Sequence, residues 1–305
     1  MALSGSAKTD IKLEAVNVYW GTERCESVTL VADVSGSLAT EYWDLNTIGS
    51  DLKTETEYVV WLDNGSSADP SGSKTGIQVT YTQDDTAATI AGLVQVAIDA
   101  VANVTATVSG AVVTYENDFI GKLTTEDFSN ASALTFETLV EGKGGSLGST
   151  AQGGSTLNME AQSVDLVSDQ TGSIVLGQVY TGSGASVDMS LIEMTKARWE
   201  TIVGSVTGDV FTPASGTRLV GYGESRLYQN LFDLGGKLIL HPIRLATSDK
   251  TEDLVFWKCA PLPSSIAYSG QDIQGMEVSF VAYNDSSKPE AISLFAQGDW
   301  SQDLV

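Results

Sequence analysis

Between Asn158 and Ser205 the sequence reads NMEAQSVDLVSDQTGSIVLGQVYTGSGASVDMSLIEMTKARWETIVGS, and its hydrophobic period limits the folds open to the chain. Apolar and polar residues alternate from Asn158 and break at Gly172. The alternation resumes through Ile174, Leu176 and Val179, breaks at Gly182-Ser183-Gly184, and runs again from Ala185 to Leu191. A period of two with glycine interruptions predicts strand, turn, strand, turn, strand. From Ser190 the period lengthens. Leu191, Ile192, Thr195, Trp199, Ile202 and Val203 fall on one face of a helix, with Glu193, Lys196 and Glu200 on the other. Ser190 and Glu193 have the spacing of a capping box, and Gly204 is the expected stop. None of these residues is arranged for chemistry.

The chain has 305 residues, which favours two domains, each able to bury a full core. Sixteen Lys and Arg stand against 39 Asp and Glu, a formal charge of −23. Binding the outside of a nucleic-acid duplex is disfavoured, because Lys and Arg must neutralise phosphates there. Cys25 and Cys259 are too few for a disulfide framework or a multi-thiolate zinc site, and both are expected as free thiols. The opening MALSGSAKTD has no basic n-region and no apolar h-region, and no apolar run approaches the ~18 residues of a membrane span. The expectation is a chain kept in the cytosol unless it leaves within an assembly.

Residues from Met1 to about Lys12 suit an arm that orders against a neighbour. A strand is expected from Leu13 to Trp20, closed by Gly21. From about residue 26 to 143 the chain reads as a self-contained module. Its strands are expected at Ser27 to Val31, Glu57 to Leu62, Gly76 to Tyr81, Val104 to Val108, Ala111 to Glu116 and Leu134 to Leu139, with a hairpin turn at Ser109-Gly110. One helix, capped by Asp85, buries Ile90, Val94, Ala97, Ile98 and Val101. A helix on a small mixed sheet makes this an α+β module. It holds 4 basic and 18 acidic residues, net −14, against 12 and 21, net −9, elsewhere. The Gly/Ser-rich run from Gly142 to Thr156 has the composition of a flexible connector back to the first domain. Further strands are expected near Arg218 to Tyr222, and at Lys237 to Leu245, Leu254 to Cys259, Met276 to Tyr283 and Ala291 to Ala296.

No constellation for catalysis, cofactor binding or metal binding stands out. His241, the one histidine, lies within LILHPI and before Pro242, and no G-x-S-x-G elbow accompanies it. A structural position at a strand edge is expected. Asp63-Asn64-Gly65 and Asp84-Asp85 do not continue into a calcium loop, so turns and helix caps are expected there. Gly221-Tyr222-Gly223 lacks the third glycine and helix of a dinucleotide site. Ser71 and Lys74 match S-x-x-K within a run of turn residues. No spacing singles out a carboxylate pair for glycoside hydrolysis.

The succession of short motifs resembles the tail tube (major tail) proteins of long-tailed bacteriophages, a family whose fold is shared with the type VI secretion tube. The resemblance rests on Val16-Asn-Val-Tyr-Trp-Gly21, Val164 to Gln170 followed by Gly172, Thr181-Gly182 leading into Ala185 to Leu191, and the Leu191-Ile-Glu193 helix start. It continues through Leu238-Ile-Leu-His-Pro242, Met276-Glu-Val-Ser-Phe280 with Asp285, and Gly298-Asp299. The module from about 26 to 143 interrupts the family pattern. It is similar to an α+β unit inserted in phage structural proteins, on Tyr58-Val-Val-Trp61, Asp69-Pro70, Gly76-Ile77, Asp85-Thr-Ala-Ala88 and Phe119-Ile-Gly121.

The resemblance implies a mainly β chain: an antiparallel β-sandwich tail-tube domain from residues 1–25 and 144–305 with one flanking helix, and an external inserted domain at 26–143. It implies a non-enzymatic structural subunit of the sheathless, flexible (siphophage) kind of tail, without cofactor. Hexameric rings stack into a hollow tube through which DNA passes without specific binding. Partners are further copies of the chain and the tape measure, terminator and distal tail proteins, with no membrane. The location is the virion tail, assembled in the host cytoplasm. Asp165, Asp188 and Glu277, each opposite the apolar face of its strand, are the expected lumen-lining carboxylates. A secreted or surface adhesin built of β-domains is the alternative that Thr/Ser/Gly-rich strands would also suit, and an acidic glycan-acting enzyme is a third.

Overall fold

The computed structural model describes residues 11–12, 15–65, 67–124, 126–167, 175–192, 195–203, 210–211, 219–221, 223–224, 227–267 and 275–301. The chain is mainly β, with antiparallel sheets and two helices among the described residues. It splits into two compact units, Met1–Tyr19 with Leu147–Val305 and Trp20–Ser146.

The first unit opens with β1 (Ile11–Lys12) and β2 (Val16–Thr22), which runs through Gly21 instead of ending there. Leu13 and Glu14 lie outside the described residues, as do residues 1–10 of the expected arm.

The second unit contains β3 (Cys25–Thr29), β4 (Tyr42–Ile48), β5 (Glu55–Asp63), β6 (Thr75–Thr80), α1 (Ala87–Asp99), β7 (Val104–Ser109), β8 (Val112–Asn117) and β9 (Thr135–Val140). These strands build two sheets where one was expected. The order β7-β8-β3-β9 is antiparallel throughout, while β4-β5-β6 is mixed, with β5 and β6 parallel. Both sheets and α1 share a single apolar core, to which Val28, Trp43, Val60, Ile90, Val94 and Val113 contribute. That shared core is why a 13-residue helix can be held by strands of both hands of pairing.

The helix is capped by Thr86, whose side chain accepts the Thr89 N–H at 3.3 Å. Asp85, the expected cap, instead accepts the Thr82 N–H at 2.8 Å and closes the turn before the helix. Val101 lies beyond the last turn of the helix. Ser109 pairs with Val112, so the hairpin turns on Gly110-Ala111, one residue later than expected. Gly110 has φ +63°, a conformation that costs glycine little and a β-carbon more.

The first unit is completed by β10 (Lys143–Val167), β11 (Val175–Leu191), α2 (Lys196–Val203), β12 (Val210–Phe211), β13 (Leu219–Val220), β14 (Gly236–Pro242), β15 (Leu254–Ala267), β16 (Gly275–Ala282), a 3-10 turn at Glu290–Ile292 and β17 (Phe295–Gln297). The main sheet has eight strands in the order β1-β10-β11-β16-β15-β14-β2, with β17 on β15, and β10 also pairs β2. The order therefore returns to β10, and the sheet wraps around one apolar interior. Val18, Leu157, Val187, Leu238, Phe256 and Phe280 are buried in it. Along β16 the alternation is direct: Met276, Val278 and Phe280 are buried, and Glu277 is exposed.

Three expectations for this unit are corrected. The Gly/Ser-rich run is no connector but the first part of the 25-residue strand β10. A β-carbon on Gly144 would overlap the carbonyl oxygen of Trp20, and one on Gly21 would overlap that of Lys143, so glycine here serves close approach of two backbones. The second correction is at Gly182-Ser183-Gly184, where β11 continues without a turn. The register slips there instead, between Gln162 and Ser163 of β10, which marks a bulge. The third is the helix start. Ser190 stays in β11, paired with Glu277, and α2 begins after Thr195, whose side chain accepts the Arg198 N–H at 3.3 Å. Glu193, Gly204 and Gly172 lie outside the described residues.

Candidate assembly surface

β11 pairs with β16 only from Ser186 to Leu191, and β10 pairs with β1 only at Leu157 and Thr156. Residues 158–167 and 175–185 therefore form a two-stranded ribbon with both outer edges unpaired among the described residues. Every residue from 159 to 166 is exposed. Met159, Val164, Leu166, Val175, Val179 and Tyr180 are all large, apolar and between 43% and 62% exposed. A lone two-stranded ribbon is at best marginally stable in water, and its edges are templates for further strands.

The bulge divides the ribbon in two. On the body side Thr156, Asn158, Glu160 and Gln162 share the face of β10 that is turned from the core residue Leu157. Past the bulge the same face carries Val164, directly opposite Val179, and then Leu166. The exposed face thus changes from polar to apolar within a few residues.

The three sequence-predicted carboxylates are all exposed, and the structure separates them into two groups. Asp188 pairs with Ser279, and Glu277 pairs with Ser190, so these two acids stand diagonally on one polar face of neighbouring strands. Asp188 accepts from Asn158 Nδ2 at 2.7 Å, and Glu277 from Ser265 Oγ at 3.0 Å. Asp165 lies across the bulge on the opposite face of β10, where it accepts from Gln178 Nε2 at 2.7 Å. Glu160, on the same face as Asp188, was not singled out from the sequence, and its alternation with Met159 and Ala161 is the signal that places it there.

Four strands, β10-β11-β16-β15, lie side by side, and their two outer edges differ in chemistry. Beyond Cys259, β15 has β16 as its only ladder partner among the described residues. Pro261 and Pro263 sit in that ladder opposite Phe280 and Val278, so their missing donors belong on the outer side and blunt it. The β10 edge from residue 158 to 167 contains no proline.

His241 is buried in β14, which is flanked by β15 and β2, so the expected edge position is incorrect. Its Nδ1 lies 2.6 Å from Asp253 Oδ1, and the indole of Trp300 donates to Asp253 Oδ2 at 2.9 Å. Lys250 lies 4.3 Å from the centre of the Trp300 ring, and burial lowers its pKa. This cluster fastens the C-terminal segment to the sheet. Cys25 and Cys259 are unbridged, and burial pushes the Cys259 thiol up.

In the second unit Asp63 accepts the Gly65 and Ser67 amides at 2.8 and 3.0 Å, a turn and not a cation loop. Among the described residues no group of His, Cys, Asp and Glu could hold a metal ion, and no helix is long and apolar enough to cross a membrane. No family model matches the chain, and no curated protein matches it.

Proposed function

We propose that the chain is a structural subunit of a bacteriophage tail tube, in which copies close into hexameric rings and the rings stack into a conduit for DNA. The observation that carries this reading is the exposed ribbon of residues 158–167 and 175–185, with edges unpaired among the described residues and apolar side chains on display. A surface of this kind needs a partner of the same strand chemistry, and a closed ring of identical subunits supplies one to every edge. The unlike edges of β10 and β15 suit a head-to-tail joint, where each subunit offers a different edge to each neighbour.

The polar face bearing Asp188, Glu277 and Glu160 is the candidate lumen wall. Surplus carboxylate repels a passing polyanion where surplus base would hold it. Asp165 lies on the face of β10 opposite to Glu160. In this reading the acidic inserted unit stands outside the tube, the tail lacks a contractile sheath, and assembly takes place in the host cytoplasm with the tape measure, terminator and distal tail proteins. No catalytic chemistry is needed.

Negative-stain electron microscopy of the purified chain tests the reading. Six-fold rings or tubes are the expected outcome. Monodisperse single subunits at high concentration would instead favour a β-domain binding protein.

A further inference from the structure

The edge of β4 is covered by residues 118–124 and 126–134, which contain no helix or strand. Four alternate amides of β4 point to this edge, and each has an acceptor. Tyr42 donates to the Asn130 carbonyl at 3.4 Å, Asp44 to the Asp127 carbonyl at 3.1 Å, and Ile48 to Asn117 Oδ1 at 3.3 Å. Between them, the Asn46 amide donates to the Glu126 carboxyl. A side-chain carboxyl thus stands where a neighbouring strand would offer a carbonyl.

Glu126 is buried beside a second buried carboxyl, Glu26 of β3, and one guanidinium serves both. Arg24 Nε donates to Glu26 Oε1 at 2.9 Å, and Arg24 Nη2 lies 3.0 Å from Glu126 Oε2. Thr138 of β9 also donates to Glu26 Oε1, at 3.2 Å, and the buried Tyr115 of β8 pairs with Glu26 in register. Glu26 Oε2 is buried without a hydrogen bond, and Glu126 Oε2, also buried, meets Arg24 as an ion pair without hydrogen-bond geometry. One cation cannot neutralise two buried carboxylates, and an uncompensated buried charge is costly.

We propose that residues 126–134 form a proton-held strap: Glu126 is a neutral acid while the strap lies on β4, and alkaline solution frees the strap by taking that proton. Burial is the main cause that raises Glu126, to about 9, with the Glu26 charge adding to it and Arg24 and the Asn46 amide opposing. Burial works to lower Arg24, but the Glu126 and Glu26 carboxyls overcome it. Burial, then Glu26 and Glu126, also hold the Tyr115 hydroxyl well above its ordinary value, so it stays protonated over this range. At the far side of the strap Lys74 pairs with Asp44 at 2.7 Å and lies 3.9 Å from Glu57, and Asp127 donates its amide to Asp44. Glu55 accepts from Thr124. Of these outer groups only Asp44 is buried, and its charge is paired with Lys74.

The direction of the pH effect follows from linkage. Glu126 titrates at its ordinary 4.5 once the strap is open, and higher when it is closed. The closed strap therefore binds the extra proton between these values. Its stability is complete below 4.5 and falls as pH rises, until the closed-state value is passed.

Amide hydrogen exchange of Asn46 and Asp44 in the full chain, from pH 6 to 10, tests this. After correction for intrinsic exchange, protection should fall about tenfold per pH unit up to about pH 9. In Glu126→Gln, which keeps the acceptor and removes the titration, protection should not depend on pH. Equal slopes in the two proteins would overturn the proposal. If the variant does not fold, the carboxyl carbon resonance of Glu126 in the natural protein decides, with a midpoint near 9 expected and one near 4.5 overturning it.

Discussion

Along β4 each of the four outward amides finds an acceptor inside its own unit, whereas the ribbon of residues 158–167 and 175–185 leaves both outer edges unpaired among the described residues. The inserted unit carries Asp44 and Asn46 on an edge strand and hides them under a strap. The other unit displays Val164, Val179 and Tyr180 on strands that extend past its core. An edge covered within the unit limits strand addition, and an edge left open invites it. In the proposed reading, this difference gives self-association to the first unit and leaves the inserted unit as a separate body.

The largest effect is expected where the comparison is sharpest. Replacing both Val164 and Val179 with Asp puts like charges directly opposite each other on the ribbon. Assembly into rings should be lost by sedimentation and microscopy, while thermal unfolding of the subunit changes little. Retained rings would break the assignment of the ribbon to subunit contacts.

A second expectation concerns the independence of the two cores. Trp43 is fully buried in the inserted unit and packs at 5.6 Å from the Phe136 ring. Trp43→Ala should cost about 3–5 kcal/mol there. Calorimetry should show one transition moved to lower temperature and another left in place. A single transition that moves as a whole would mean that the two units unfold together.

Smaller again is the change at the C-terminal segment. Trp300→Phe keeps the ring under Lys250 but leaves Asp253 Oδ2 buried without its donor, a loss of about 1–3 kcal/mol. Denaturant unfolding followed by the transition of the first unit reads it, and an unchanged midpoint would show that the bond adds nothing. The smallest effect is expected from Asp188→Asn and Glu277→Gln, both exposed, which should leave subunit stability within about 0.5 kcal/mol. A larger loss in equilibrium unfolding would mean that these acids hold the subunit together, and would weaken their reading as a lumen wall.

Alternation and turn chemistry made much of the architecture legible. The strands β5 to β8, β14 and β16 lie within a few residues of where period-two patterning puts them, because one buried face imposes that period. The stripe of Ile90, Val94 and Ile98 likewise required a helix with a buried side. β4 left no such signal, since Asp44 and Asn46 are buried polar residues whose partners Asp127 and Glu126 lie 83 and 80 positions away. Gly182 and Gly184 carry the local mark of a turn but continue a strand, with Gly182 bordering a bulge, and only the partner strand across from them makes that distinction.

What the sequence determined by itself is local: which residues alternate, which are charged, and that no metal or nucleophile constellation is spelled out along the chain. Tertiary structure alone decided that Asp188 and Glu277 share a face while Asp165 does not, because the pairing register sets which residues of neighbouring strands emerge on the same side. It also brought Glu126 to Arg24 and Glu26, which lie about 100 residues earlier in the chain, and burial strengthens the influence of their charges on one another.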